Sequence, residues 1–221
     1  MTRSLLAVLL SLCAGLAEAA IMFTANLTNG QENPPTVPTL DGTSTPRVSF
    51  GTATFVLNDA MTALTVSAMV TGLDFGRVPS QGMPVVNPPA ANPNPQTAIL
   101  NDDLLVAHIH RAPVGTNGPV IWGFIGAPFN DTTPNDVVVT PFASGVGGTV
   151  AAKWDAGEGN NTTLTAELGN LLGGNTYINF HSIQFAGGEI RGQIIKVPEP
   201  GTLALLGLAL GALTLRRRVA R

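Results

Sequence analysis

The chain has three histidines, His108, His110 and His181, and their spacing is the first place where its residues could do chemistry. His108 and His110 stand two apart in the run Leu104 to Arg111. Successive side chains of a strand point to opposite faces, so both imidazoles share one face while Leu105, Ala107 and Ile109 turn the other way, into a core. In Thr176 to Ser182, His181 shares a polar face with Tyr177 and Asn179, and Ile178 and Phe180 take the apolar side. Two readings follow. Three imidazoles converging on an outer sheet face would suit Cu²⁺ or Zn²⁺, so copper or zinc is the cofactor to expect, in tetragonal or tetrahedral nitrogen sites. A ligating ring usually has its second nitrogen held by a partner, and Asn179, Glu189 and Arg191 are the residues placed to do so. Alternatively, the three are solvent-facing strand residues in a structural hydrogen-bond network. Glu189 and Arg191, two apart on one face, also read as a surface ion pair, worth less than about 1 kcal/mol.

Other reactive patterns are absent from the sequence: it has no Gly-x-Ser-x-Gly elbow, no Gly-rich phosphate loop and no Cys-x-x-Cys pair, and the few carboxylates show no acid/base spacing. The expectation is a protein that is not an enzyme. Residues 20 to 197 carry six Lys/Arg against twelve Asp/Glu, a net charge of −6, which argues against nucleic acid as a partner. Trp122 and Phe124 alternate in one run and read as core rather than as a sugar-stacking platform.

The elements that must position the histidines are strands. The chain is 44% apolar, only 11% charged and rich in Gly and Pro, which disfavours a helical class. Ile21, Phe23, Ala25 and Leu27 alternate with polar residues, as do Ala53, Phe55 and Leu57, and then Leu64, Val66, Ala68 and Val70. Further candidates are Leu104 to Arg111, Val120 to Ile125, Asp136 to Thr140, Gly148 to Trp154, Thr176 to Ser182 and Glu189 to Val197. Such spacing predicts an all-β, antiparallel sandwich or barrel with half-solvated sheets. Leu164, Leu168, Leu171 and Leu172, followed by Gly173-Gly174, predict one two-turn helix between two strands. Arg77 to Leu100, with six prolines, reads as a long surface loop within a single domain.

Both ends are different material. Arg3, the apolar run Leu5 to Leu16 and Ala17-Glu18-Ala19 form a secretory signal peptide, residues 1–19, cut by signal peptidase between Ala19 and Ala20. The sole cysteine, Cys13, lies inside it, so the exported chain has no thiol and must hold its fold by packing alone. At the other end Pro198-Glu199-Pro200 precedes an uncharged run and then Arg216-Arg217-Arg218. The two prolines keep the motif extended and open to a processing enzyme. A helix over Thr202 to Leu215 would span only about 21 Å of a hydrocarbon core about 30 Å thick, which suits a transient inner-membrane anchor with the arginines left inside.

This C-terminal segment resembles the PEP-CTERM sorting signal. The resemblance implies recognition by an exosortase in a Gram-negative bacterium and delivery to the cell surface or extracellular matrix. The middle of the chain resembles the CHRD, chordin-type, domain family through Leu27-Thr28-Asn29-Gly30-Gln31-Glu32-Asn33-Pro34-Pro35, Gly51-Thr52-Ala53-Thr54-Phe55, Ala107-His108-Ile109-His110-Arg111-Ala112, Tyr177-Ile178-Asn179-Phe180-His181 and Gly188-Glu189-Ile190-Arg191-Gly192-Gln193-Ile194. That family implies a Greek-key β-sandwich, superoxide-dismutase-like or Ig-like, here with terminal signal and anchor helices, and an extracellular role. The domains expected are the signal peptide, a CHRD domain over 20–196 and a sorting signal over 197–221. The histidines are also similar to the copper half of copper/zinc superoxide dismutases, without a bridging histidine or zinc ligands; the likeness carries a possible redox role for the same three residues. The function expected first is adhesion or matrix organisation with polysaccharide or matrix proteins as partners, and the alternative is metal binding.

Overall fold

A computed structural model describes residues 20–40, 43–75, 101–143 and 146–198. The signal peptide up to Ala19, the proline-rich loop Arg77 to Leu100, and the sorting segment from Glu199 through Arg216, Arg217 and Arg218 lie outside the described residues. The strands are β1 (Ile21–Thr28), β2 (Phe50–Leu57), β3 (Ala63–Thr71), β4 (Leu104–Arg111), β5 (Val120–Ile125), β6 (Val138–Pro141), β7 (Gly147–Asp155), β8 (Thr176–Ser182), β9 (Ile190–Gln193) and β10 (Ile195–Lys196). The helix expected between β7 and β8 is α1 (Leu164–Leu172). The Thr163 side chain caps it by accepting from the Ala166 N–H at 3.2 Å, and Gly174, at φ +69°, follows its end. Among the described residues no helix is long and apolar enough to cross a membrane.

Every strand pairing is antiparallel. The order is β5-β4-β8-β9-β1-β2-β3-β7-β6, with β10 also on β1. Sequential hairpins therefore alternate with crossovers between two halves, β5-β4-β8-β9 and β1-β2-β3-β7-β6. The halves meet at a single pairing, Thr28 with Arg191, and the sheet curls so that their inner faces pack together. Trp122 of β5 stacks on Trp154 of β7 at 5.5 Å, and Phe23, Phe55, Leu64, Ile109, Phe124, Ile178 and Phe180 are fully buried between the layers. This is the all-β sandwich that the alternating pattern predicts, and Trp122 and Phe124 are core.

Two elements differ from expectation. The last strand breaks into β9 and β10 around Ile194, which is buried in the core cluster. In β4 a bulge between Leu104 and Val106 shifts the register, so Leu104 enters the core while Leu105 is only half-buried. An extra residue on one strand inverts the alternation on one side of the bulge.

Candidate metal centre

The pairing of β4 with β8 fixes the three histidines on one face. His108 lies opposite Asn179, and His181 opposite Val106, so the rings of neighbouring strands meet diagonally, about 4.8 Å between strand axes. Ring centroids are 5.7 Å apart for His108 and His110, 5.0 Å for His108 and His181, and 6.0 Å for His110 and His181. Each ring offers a ligand nitrogen, and these atoms lie within 4.8 Å of one another.

That face is not an outer, solvated surface as the alternation suggested. The three histidines are 4%, 8% and 5% exposed, because the hairpin ends fold over them. The turn after β5 bends back as Asn130 N–H donates to Gly123 O at 2.8 Å and Gly123 N–H to Asn130 Oδ1 at 3.0 Å. It passes so close that a Cβ on Gly123 would sit 1.8 Å from Pro128 O, a contact only glycine permits. The β4–β5 loop is held by Asn33 Nδ2 on Gly115 O at 3.0 Å and by Arg191 Nη1 on Thr116 O and Asn117 Oδ1 at 3.1 and 3.0 Å.

Each loop presents one carbonyl to one ring. His108 Nε2 meets Ala127 O at 3.1 Å, His110 Nδ1 meets Gly118 O at 3.0 Å, and His181 Nδ1 meets Ala186 O at 2.9 Å. A carbonyl only accepts, so each of these nitrogens carries the proton and the other nitrogen of a neutral ring is a bare lone pair. Those other atoms, His108 Nδ1, His110 Nε2 and His181 Nε2, are buried and have no hydrogen-bond partner among the described residues. Burial first, then the neighbouring rings, push His108 down to about 3; burial takes His110 down to about 4 against the pull of the Gly118 carbonyl, and lowers His181 as well. All three rings are therefore neutral donors at neutral pH.

The residues expected behind the rings do other work. Glu189, fully buried, is gripped through both oxygens by Arg47 Nη1 and Nη2 at 2.6 and 2.7 Å and also accepts from Ser182 Oγ. It does not form the anticipated surface pair with Arg191. Arg191, 2% exposed, lies 4.3 Å over the Tyr177 ring, which in turn stacks on His110 at 4.7 Å. Its charge disfavours the protonated form of His110, and it ties down the covering loop. Asn179 is buried beside Gly188, with Oδ1 lacking a partner. The ring supports are main-chain carbonyls, which have no signature in a sequence; the tight Gly123 and Gly118 are the nearest signals. Sequence reasoning also missed Arg47, Tyr177 as a stacking partner, and a second buried group, Asp74, Asp102 and Asp103, whose ligand atoms likewise lie within 4.8 Å. Burial raises Asp102 there to about 6.

The fold and the buried face define an all-β sandwich module with a three-histidine centre. Residues 23–194 match the CHRD domain family, and the chain belongs to it. Residues 196–218 match the PEP-CTERM protein-sorting motif, which marks an exported protein handled by an exosortase at the inner membrane of a Gram-negative bacterium. No match was found among curated proteins or solved structures.

Proposed function

We propose that this exported module is delivered to the cell surface or matrix and there holds one transition-metal ion, copper or zinc, through His108, His110 and His181, as a binding protein rather than an enzyme. One observation carries the reading: three buried, neutral imidazoles each have one nitrogen held by a carbonyl and the other left as a bare lone pair. Unpartnered buried acceptors cost about 1–3 kcal/mol each, and an ion at the shared focus satisfies all three at once. The supported second nitrogens are what a ligand set requires. A purely structural hydrogen-bond network would have used those lone pairs.

Titration of the purified protein with Cu²⁺ and with Zn²⁺, followed by calorimetry, should show one equivalent bound. Replacing His108 and His110 together with Ala, or His181 alone, should abolish the signal while circular dichroism stays that of a folded sheet protein. Retention of a full equivalent by these variants would refute the reading. An adhesive or structural role in the matrix is compatible with the same module; its first requirement is location, and recovery of the mature protein from the cytoplasmic fraction would end it.

A further inference from the structure

We infer that the ion this centre prefers is cuprous, Cu⁺, over either Cu²⁺ or Zn²⁺; the inference rests on the metal-binding reading above. The argument is one of charge. Among the described residues the ligand atoms gathered at the focus belong to three histidines, with no carboxylate or thiolate in the group, so that donor set is neutral. Behind the rings stand the carbonyls of Ala127, Gly118 and Ala186. A carboxylate in any of those places would raise imidazole basicity and offset a divalent charge; a carbonyl does so far less.

Burial sharpens the same preference. The desolvation that keeps protons off these rings also acts on a bound ion, and its cost rises with the square of the charge, so a divalent ion meets about four times the penalty of a monovalent one. One charge nearby has the same sign as the ion: the Arg191 guanidinium covers Tyr177, and Tyr177 covers His110, while burial holds the Glu32 carboxyl that interacts with Arg191 towards its neutral form. Glu189 cannot compensate, because both its oxygens are engaged by Arg47. Coordination number agrees. Three ligand nitrogens complete a trigonal cuprous site, for which about 2 Å bonds place the nitrogens about 3.5 Å apart, reachable from the observed 4.8 Å limit by small ring rotations. Zn²⁺ and Cu²⁺ want a fourth ligand or more, and among the described residues the group supplies three. A centre that favours one oxidation state this way stores or carries the ion rather than cycling it.

The test is a competition on the purified exported protein. Under anaerobic conditions, Cu²⁺ reduced by ascorbate is offered against a chromogenic cuprous chelator; Cu²⁺ and Zn²⁺ are offered separately against chelators of their own. The expected result is Cu⁺ held about 100-fold or more tighter than Cu²⁺, equivalent to an upward shift of about 120 mV in the copper couple, with Zn²⁺ weaker again. X-ray absorption of the cuprous form should report three nitrogen neighbours. Equal or tighter binding of Cu²⁺ or Zn²⁺ overturns the inference and leaves the metal reading standing. If none of the three ions binds, both fall. Arg191→Lys, which keeps the charge, should preserve the Cu⁺ to Cu²⁺ ratio in protein that retains its fold, and a ratio unchanged in folded Arg191→Gln would contradict the electrostatic part.

Discussion

In β1, β2 and β3 every second side chain reaches water: Thr24, Thr52, Thr54, Thr65 and Ser67 stand exposed opposite buried Phe23, Ala53, Phe55, Leu64 and Val66. In β8 all seven residues are buried, and the positions that alternate with the core carry Tyr177, Asn179 and His181, with His108 and His110 beside them on β4. One half of the sandwich thus has an ordinary solvated back. The other has a covered back filled with polar groups, and covering polar groups is costly unless they are satisfied. Ion pairs, carbonyl-held rings and a stacked cation meet much of that cost there; among the described residues the three histidine lone pairs remain unmet, together with Asn179 Oδ1, Thr176 Oγ1 and Glu32 Oε1. What sets the histidine atoms apart is that three ligand nitrogens lie within 4.8 Å of one another, and this convergence is what the proposed metal reading rests on.

The largest effect should come from the covered half's ion pair. Arg47→Ala leaves Glu189 fully buried without its paired cation, and should cost about 3–5 kcal/mol in chemical denaturation; a loss below about 1 kcal/mol would mean that the covered face tolerates an unpaired carboxyl and that the contrast is overstated. Next, Gly123→Ala forces the Pro128 carbonyl away from a Cβ that would lie 1.8 Å from it. It should cost about 1–3 kcal/mol and weaken metal binding, because Ala127 moves off His108; unaltered affinity would show that the carbonyl support is dispensable.

The third prediction is a pH dependence. Burial raises Glu32 to about 7, against the pull of Arg191. A carboxyl whose folded pKa lies above its unfolded value favours the folded state fully below about 4.5, and that contribution is lost as pH rises through about 7. Glu32→Gln should therefore be more stable than the parent by about 1–2 kcal/mol at pH 8 and not at pH 4.5, as read from thermal melts; an equal difference at both pH values would place Glu32 in water. The smallest effect belongs to the solvated half. Lys153 sits 2.9 and 3.1 Å from Asp136 and Asp155, with its side chain 33% exposed, and Lys153→Ala should cost less than about 1 kcal/mol, less still at high salt. A cost rivalling that of Arg47→Ala would erase the distinction between the halves.

Period-two alternation made the strands and the shared histidine face legible, because local sterics and an apolar core impose it on the sequence directly. Leu104 to Arg111, Val120 to Ile125 and Thr176 to Ser182 match β4, β5 and β8 end to end. Alternation distinguishes polar from apolar, not covered from open, so the same rule placed His108, His110 and His181 in solvent. Their burial depends on where three loops fall, which is decided by contacts such as Asn33 with Gly115, 82 residues apart. Arg47 and Glu189 are separated by 142 residues, and no local pattern links them. Glu189 and Arg191 misled for the same reason: adjacency on a strand suggested a pair, while each found a stronger partner across the fold.

The central claim is that the focus of the three histidines is a metal site. Anomalous diffraction from crystals of the copper-loaded protein, recorded on both sides of the copper edge, tests it most directly. The account predicts one peak per chain about 2 Å from His108 Nδ1, His110 Nε2 and His181 Nε2, with the Ala127, Gly118 and Ala186 carbonyls still on the opposite nitrogens. A loaded crystal with no peak there, or with its copper bound elsewhere on the chain, would contradict it.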